Sequence, residues 1–177
     1  MKRWKVDRIS AAFLDTTFLL PFFQLDITVE AFTIEKFRDF LTQLSEIHIS
    51  ELSIFEAKAK IFRLSKKNAS YTPILKDYGS NLAVLREDEK IVFHTYTKAD
   101  DAYFNLISAK NTNLDSFNII IVAQALDVGL LITEEKEILG LGEQETFTKD
   151  PLLGKLAIKR WKELASLSKS SKRSGEL

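Results

Sequence analysis

Asp15, Glu56, Asp115 and Glu135 are the side chains of this sequence whose type and setting point to chemistry. Asp15 ends the apolar run Ala11–Leu14, and after Thr16 and Thr17 a second apolar stretch runs to Phe23. That pattern puts the acid at the carboxyl end of a strand, the edge where open α/β sheets bind their ligands. Glu135 follows the apolar Leu130–Ile132 in the same way, and Glu56 and Asp115 fall in the first turns of two expected helices. With right-handed crossovers between parallel strands, all four positions can converge on one edge of the sheet. Carboxylates gathered without His or Cys suit a hard, oxygen-seeking Mg2+ or Mn2+ ion, which relieves their mutual repulsion. The chemistry such an ion brings is activation of water and stabilisation of charge on a phosphoryl oxygen.

Each acid also has an ordinary reading. Asp15 suits a helix N-cap. Glu56 and Lys60 form an i, i+4 pair worth about 0.2–0.5 kcal/mol on an exposed helix. Glu134, Glu135 and Glu137 suit the positive end of a helix dipole. Against the exposed reading of Glu56, Leu52, Phe55 and Ala59 flank it at about 100° per residue, so the acid is expected to be shielded and aimed into a cleft. Lys60, Arg63 and Lys67 follow it at i+4, i+7 and i+11, a basic ridge leading away on the same stripe. Asn118 lies one turn after Asp115, in a segment otherwise nearly all apolar.

Strands are expected at 8–14, 46–49, 91–93 and 130–132, with an edge strand at 144–148. Helices are expected at 17–23, 31–45, from Ser50 to about 65, and at 71–87, 98–109 and 114–127. Gly129 ends the last of these, and Thr133 starts another. Asp150 and Pro151 supply an N-cap and first turn for a final helix at about 151–167. Short strands alternating with helices predict an α/β fold, a three-layer α/β/α sandwich with a short central parallel sheet. The chain reads as one domain over 1–167, followed by a disordered basic tail at 168–177.

The totals narrow the function classes. Of 177 residues 45% are hydrophobic and 13 are Phe, which predicts a packed globule. Phe13, Phe18, Phe22 and Phe23 are placed in that core rather than on a base-stacking platform, and Trp161 in the core or a dimer contact. No Cys is present, which excludes disulfides and thiolate metal sites and suits a reducing cytoplasm. Lys+Arg and Asp+Glu balance at 25 each, so any nucleic-acid binding must come from charge placement. His48 and His94 are too few for a histidine metal cluster and read as strand-end or loop residues. Asp7, Arg8 and Asp15 break the N-terminal apolar stretch, and no small-residue cleavage site follows Phe23, which argues against a signal peptide. No apolar run approaches the roughly 20 residues that cross a bilayer, so no membrane partner is expected. Gly140-Leu-Gly142 lacks the third glycine and the setting of a nucleotide-binding loop.

In order and context these residues resemble the PIN domain, a family of metal-dependent ribonucleases, over about residues 8 to 148. Phe13-Leu-Asp-Thr-Thr-Phe-Leu-Leu20 resembles its first motif, a strand ending in Asp-Thr/Ser. Ser53-Ile-Phe-Glu-Ala57 resembles its second, a Glu in an apolar helix start. Val122-Ala-Gln-Ala-Leu-Asp-Val-Gly-Leu-Leu-Ile-Thr-Glu-Glu135 resembles its late block of small alanines, Gly, apolar strand and Thr-x-acid. The departure is at the third acid, which by this alignment falls on Asn118. Asn brings a carbonyl oxygen but no charge. Either Asp115, three residues earlier, supplies the missing carboxylate, or the site has lost catalysis and the chain is a PIN-like RNA-binding or assembly module.

The resemblance implies hydrolysis of phosphodiester bonds in single-stranded RNA. Asp15, Glu56 and Asp115 are then the Mg2+ or Mn2+ ligands, with Asn118 as a neutral one and Glu135 completing the site. Thr17 orients a bound water, and Lys60, Arg63 and Lys67 meet RNA phosphates. The implied partners are RNA, an antitoxin protein of VapBC-type pairs and a second copy of the chain in a homodimer.

Overall fold

The computed structural model describes residues 9–110 and 113–165. Among them, five strands form one all-parallel sheet: β1 (Ala11–Leu14), β2 (Glu46–Ser50), β3 (Ile91–His94), β4 (Leu130–Ile132) and β5 (Ala157–Lys159). Their spatial order is β3-β2-β1-β4-β5. The helices are α1 (Thr16–Leu19), α2 (Ile34–Gln43), α3 (Glu51–Lys67), α4 (Thr72–Glu87), α5 (Lys98–Ser108), α6 (Ser116–Ala125), α7 (Lys136–Glu143) and α8 (Glu145–Thr148). They cover both faces of the sheet, giving the expected three-layer α/β/α sandwich.

β1 is the central strand, with Phe13 opposite His48 of β2 and Leu131 of β4. Helices on both sides leave Ala12, Phe13 and Leu14 fully buried, so the strand reads as a continuous apolar run rather than an alternating one. The alternation survives in which core each residue enters. Ala12, Leu14, Ile47, Ile49 and Ile132 point into the core under α2, α3 and α4, whereas Phe13 and Leu131 point into the core under α6 and α7. Trp161 closes the first core, its ring centroid 5.6 Å from Phe37 and 5.7 Å from Phe40. Its Nε1–H donates to the Ala31 carbonyl at 3.2 Å. Phe13, Phe18 and Phe23 are buried and Phe22 packs edge-on against Phe37, as composition predicts.

Ser50 caps α3 by accepting the Leu52 N–H at 3.2 Å, and Lys66 and Lys67 sit in its last turn, where the dipole favours cations. Gly129 turns the chain into β4 at φ 84°, a conformation that costs glycine little.

Three expectations are corrected. The segment 17–23 divides into α1 and a 3-10 turn, Leu20–Phe23, that contains Pro21. Residues 144–148 are not an edge strand: Glu145–Thr148 is α8, capped at Lys149 by the Glu145 carbonyl. The final helix does not start at Pro151. Asp150 does cap, accepting from the Leu152 and Leu153 N–H groups at 2.9 and 3.2 Å, but only a 3-10 turn at Leu153–Lys155 follows. The chain then pairs as β5 with the open side of β4, Leu130 opposite Ala157, and turns helical only at 161–165. Pairing with a waiting strand outweighs local helix preference here. The tail at 168–177 lies outside the described residues. Among those described, no helix is long and apolar enough to cross a membrane.

Candidate functional site

β1 has β2 on one side and β4 on the other, so the strand order reverses at β1/β4, and the crevice beyond their carboxyl ends is the expected ligand site. Asp15 occupies it. Its N–H donates to the Ile132 carbonyl at 3.1 Å, which carries the β1–β4 pairing one residue past the strand and fixes the acid. Only 7% exposed, its carboxylate accepts the Thr16 N–H at 2.7 Å through Oδ1 and the Thr133 hydroxyl at 2.7 Å through Oδ2. The helix-cap reading of Asp15 is therefore correct, and compatible with the other.

Two threonines extend the group in opposite directions. The Thr16 hydroxyl donates to Glu56 Oε2 at 2.6 Å, a charge-assisted bond that ties the start of α3 to the end of β1. Thr133, fully buried, accepts the Glu135 N–H at 2.9 Å while donating to Asp15. The Asp15 carboxyl is raised to about 6: burial pushes it up most, its bonds to Thr133 and Thr16 pull it down, and Glu56 and Glu135 push it up further. Among the described residues the charged groups that act on it most, Glu56 and Glu135, are both carboxylates.

Asp115 does not join this group. It is the N-cap of α6, its Oδ1 accepting the Asn118 N–H at 2.8 Å, and it is exposed. α6 leads directly into β4, so its N-terminus lies toward the same sheet edge, but its carboxylate is engaged by its own helix. Among the described residues no group of three or more His, Cys, Asp or Glu side chains is arranged to hold a metal ion. Among the described residues the four expected acids and Asn118 are therefore not seen gathered into such a group. Neighbouring donors hold Asp15, Glu56 and Asp115 one at a time. What remains is a pair, Asp15 and Glu56, linked through Thr16, with Glu135 close enough to be felt.

The setting of Glu56 is also corrected. Phe55 is 68% exposed and Ala59 is exposed, so they do not shield the acid, and this side of α3 faces solvent. Lys60, Arg63 and Lys67 are exposed on it and, among the described residues, pair with no carboxylate. Thr17 is half-buried; the hydroxyl that reaches an acid is its neighbour's, that of Thr16. Thr16 and Thr133 stand in the motifs Asp-Thr-Thr and Thr-Glu-Glu, but only the backbone geometry decides which hydroxyl turns inward.

A second group lies on β2 and β3. His48 Nδ1 is 2.8 Å from His94 Nε2, and His48 Nε2 is 3.1 Å from Glu46 Oε2. Burial and then the facing His48 lower the His94 pKa, while Asp100 and Asp127 raise it. Both histidines are expected as strand-end or loop residues; His94 does end β3, His48 lies within β2, and the register of the two strands brings them together.

No family model matches the chain, and no curated protein matches it. Among solved structures, PAE2754 from Pyrobaculum aerophilum is similar with a TM-score of 0.52 at 14% identity, over 90% of this chain and 96% of that one. The likeness is one of fold.

Proposed function

We propose that this chain is a Mg2+- or Mn2+-dependent endoribonuclease of the PIN type, hydrolysing phosphodiester bonds of single-stranded RNA. One observation carries the reading. Asp15 is buried at the switch point of the sheet, and among the described residues the charged groups that act on it most are the carboxylates Glu56 and Glu135. Glu56 and Glu135 are exposed, but a buried acid beside two further carboxylates is costly unless a cation joins them. The oxygen donors suit a hard ion, and Mg2+ needs only one or two carboxylates when water and substrate phosphate fill the remaining positions. Asp15 and Glu56 would hold it, with Glu135 as a further acid; when bound, it supplies activation of water and stabilisation of phosphoryl charge.

The chain's own residues do the rest. Thr133 and the Thr16 N–H orient the two Asp15 oxygens, and the Thr16 hydroxyl orients Glu56. Lys60, Arg63 and Lys67 draw the RNA backbone by salt-sensitive, sequence-independent attraction. An antitoxin partner and a homodimer belong to this reading and rest on the resemblance alone; a cytoplasmic setting belongs to it too and suits a sequence without Cys.

The rival reading, an RNA-binding or assembly module without catalysis, is favoured by Asp115 serving as a cap and by the uncharged Asn118 beside it. A cleavage assay with Mn2+ on single-stranded RNA separates the two. The nuclease reading expects cleavage that EDTA stops and that Asp15→Asn lowers on the order of 10²-fold or more, several kcal/mol of lost charge stabilisation. Equal behaviour of wild type and Asp15→Asn sinks it and leaves the module.

A further inference from the structure

The solvent side of α3 carries two parallel stripes. On a helical projection of about 100° per residue, Phe55, Ala59, Phe62 and Lys66 fall within roughly 60° of one another, and Glu56, Lys60, Arg63 and Lys67 form a second stripe beside them. Phe55 is 68% exposed and Phe62 48%, whereas Phe13, Phe18, Phe23 and Phe37 are buried in the two cores. A single exposed apolar residue needs no explanation. Two phenylalanines on one stripe, next to cations that pair with no carboxylate among the described residues and leading to the acid site, do. The Lys66 ammonium lies 5.2 Å from the Phe62 ring centroid, so the aromatic stripe is itself lined by positive charge.

We infer that this face of α3 is a track for single-stranded RNA, with bases stacked on Phe55 and Phe62 and phosphates held by Lys60, Arg63 and Lys67. The inference deepens the ribonuclease reading and takes its direction, toward Glu56 and Asp15, from it. Charge selects the occupant. A second copy docked symmetrically through α3 would set two rows of cations face to face, whereas a polyanion neutralises them. The aromatic rings select the strandedness: a duplex hides its base faces, and a single strand offers them. Seven residues separate Phe55 from Phe62, about 10 Å along the helix, so each ring takes a different base.

The test is fluorescence anisotropy of the full chain with a short labelled oligouridylate in EDTA, where binding is read without cleavage. Phe55→Ala and Phe62→Ala each weaken binding about 5- to 100-fold, the range for one lost base–aromatic stack. Phe55→Trp retains binding, and Phe62→Leu, which keeps apolar area but not the ring, loses it. Lys60→Ala and Arg63→Ala each lower the slope of log affinity against log salt by about one. Val84→Ala, exposed on α4, leaves binding unchanged and serves as the control. All these positions are on the surface, and far-ultraviolet circular dichroism verifies that the variants fold alike.

No binding by the wild type overturns the inference, as does wild-type affinity in Phe55→Ala/Phe62→Ala or in Phe62→Leu. A wild-type dimer in sedimentation that the double variant converts to monomer also overturns it and makes the face a protein interface. The two readings fail separately. Binding that depends on the rings while Asp15→Asn leaves cleavage unaltered removes the nuclease and keeps the track; the converse removes the track and keeps the nuclease.

Discussion

Asp15 and His94 are both titratable groups drawn out of water at the carboxyl ends of strands in one sheet, and they are satisfied in opposite ways. His94 meets His48 at 2.8 Å, His48 continues to Glu46 at 3.1 Å, and Asp100 and Asp127 add negative charge around the pair. Ring nitrogens and the Glu46 carboxylate pair with one another and close that group upon itself. Around Asp15, among the described residues, the charged groups that act on it most are carboxylates, Glu56 and Glu135. A buried group that is complete needs nothing further and stabilises the fold. A buried group with an excess of one charge is poised for a ligand of the other. That difference is why the proposed function is placed at the acids and not at the histidines.

The sharpest way to break the comparison is activity. Asp15→Asn and Glu56→Gln are expected to lower Mn2+-dependent RNA cleavage on the order of 10²-fold or more. His94→Gln leaves it near the wild-type rate. A cleavage loss in His94→Gln as large as that in Asp15→Asn would erase the distinction.

Stability against pH is the next largest effect, and the two groups have opposite signs. The Asp15 carboxyl is at about 6 in the folded chain against 3.8 unfolded, so the folded state holds the proton more tightly. Its contribution is fully present below the unfolded value and lost as pH rises through 6, about 3 kcal/mol in all. In metal-free buffer Asp15→Asn should therefore be more stable than wild type at pH 7 by an amount of that order, the advantage vanishing toward pH 4, as urea melts across the window will read. For His94 the folded pKa lies below the unfolded 6.5. Its contribution is present above 6.5 and lost as pH falls, so His94→Gln should flatten the loss of stability on acidification from pH 7. Parallel pH profiles for the two variants would contradict the contrast.

Asp115 gives the smallest effect. As an N-cap, Asp115→Ala costs about 1 kcal/mol of stability, measured by urea melting, and leaves cleavage intact. Cleavage lost to the extent seen in Asp15→Asn would return Asp115 to the site as a ligand.

Much of the fold is legible in the chain because its signals are local. The apolar runs Ala11–Leu14 and Leu130–Ile132, the Ser50 cap and the Gly129 turn each act within a few residues, and each forms where expected. β5 is not legible: Ala157–Lys159 is a three-residue segment whose strand character comes from β4 beside it. In the site, Asp15, Glu56 and Glu135 can be picked out because strand ends and helix starts of a parallel sheet share an edge. Two things need coordinates. One is the inward turn of Thr16 rather than Thr17; the other is the exposure of Phe55, since helical spacing places a residue on a stripe without saying whether that stripe meets the core or water. The His48–His94 pair depends on the register of two strands more than forty residues apart, Ser50 opposite His94.

The central claim is that the acids around Asp15 accept a divalent cation. Calorimetric titration of the full chain with Mn2+ at neutral pH tests it directly. The account predicts saturable binding that Asp15→Asn and Glu56→Gln each weaken at least about tenfold, one ligand's charge being worth upwards of 1.4 kcal/mol, and that His94→Gln leaves unchanged. Wild-type affinity for Mn2+ in Asp15→Asn, or no binding by the wild type, would contradict it.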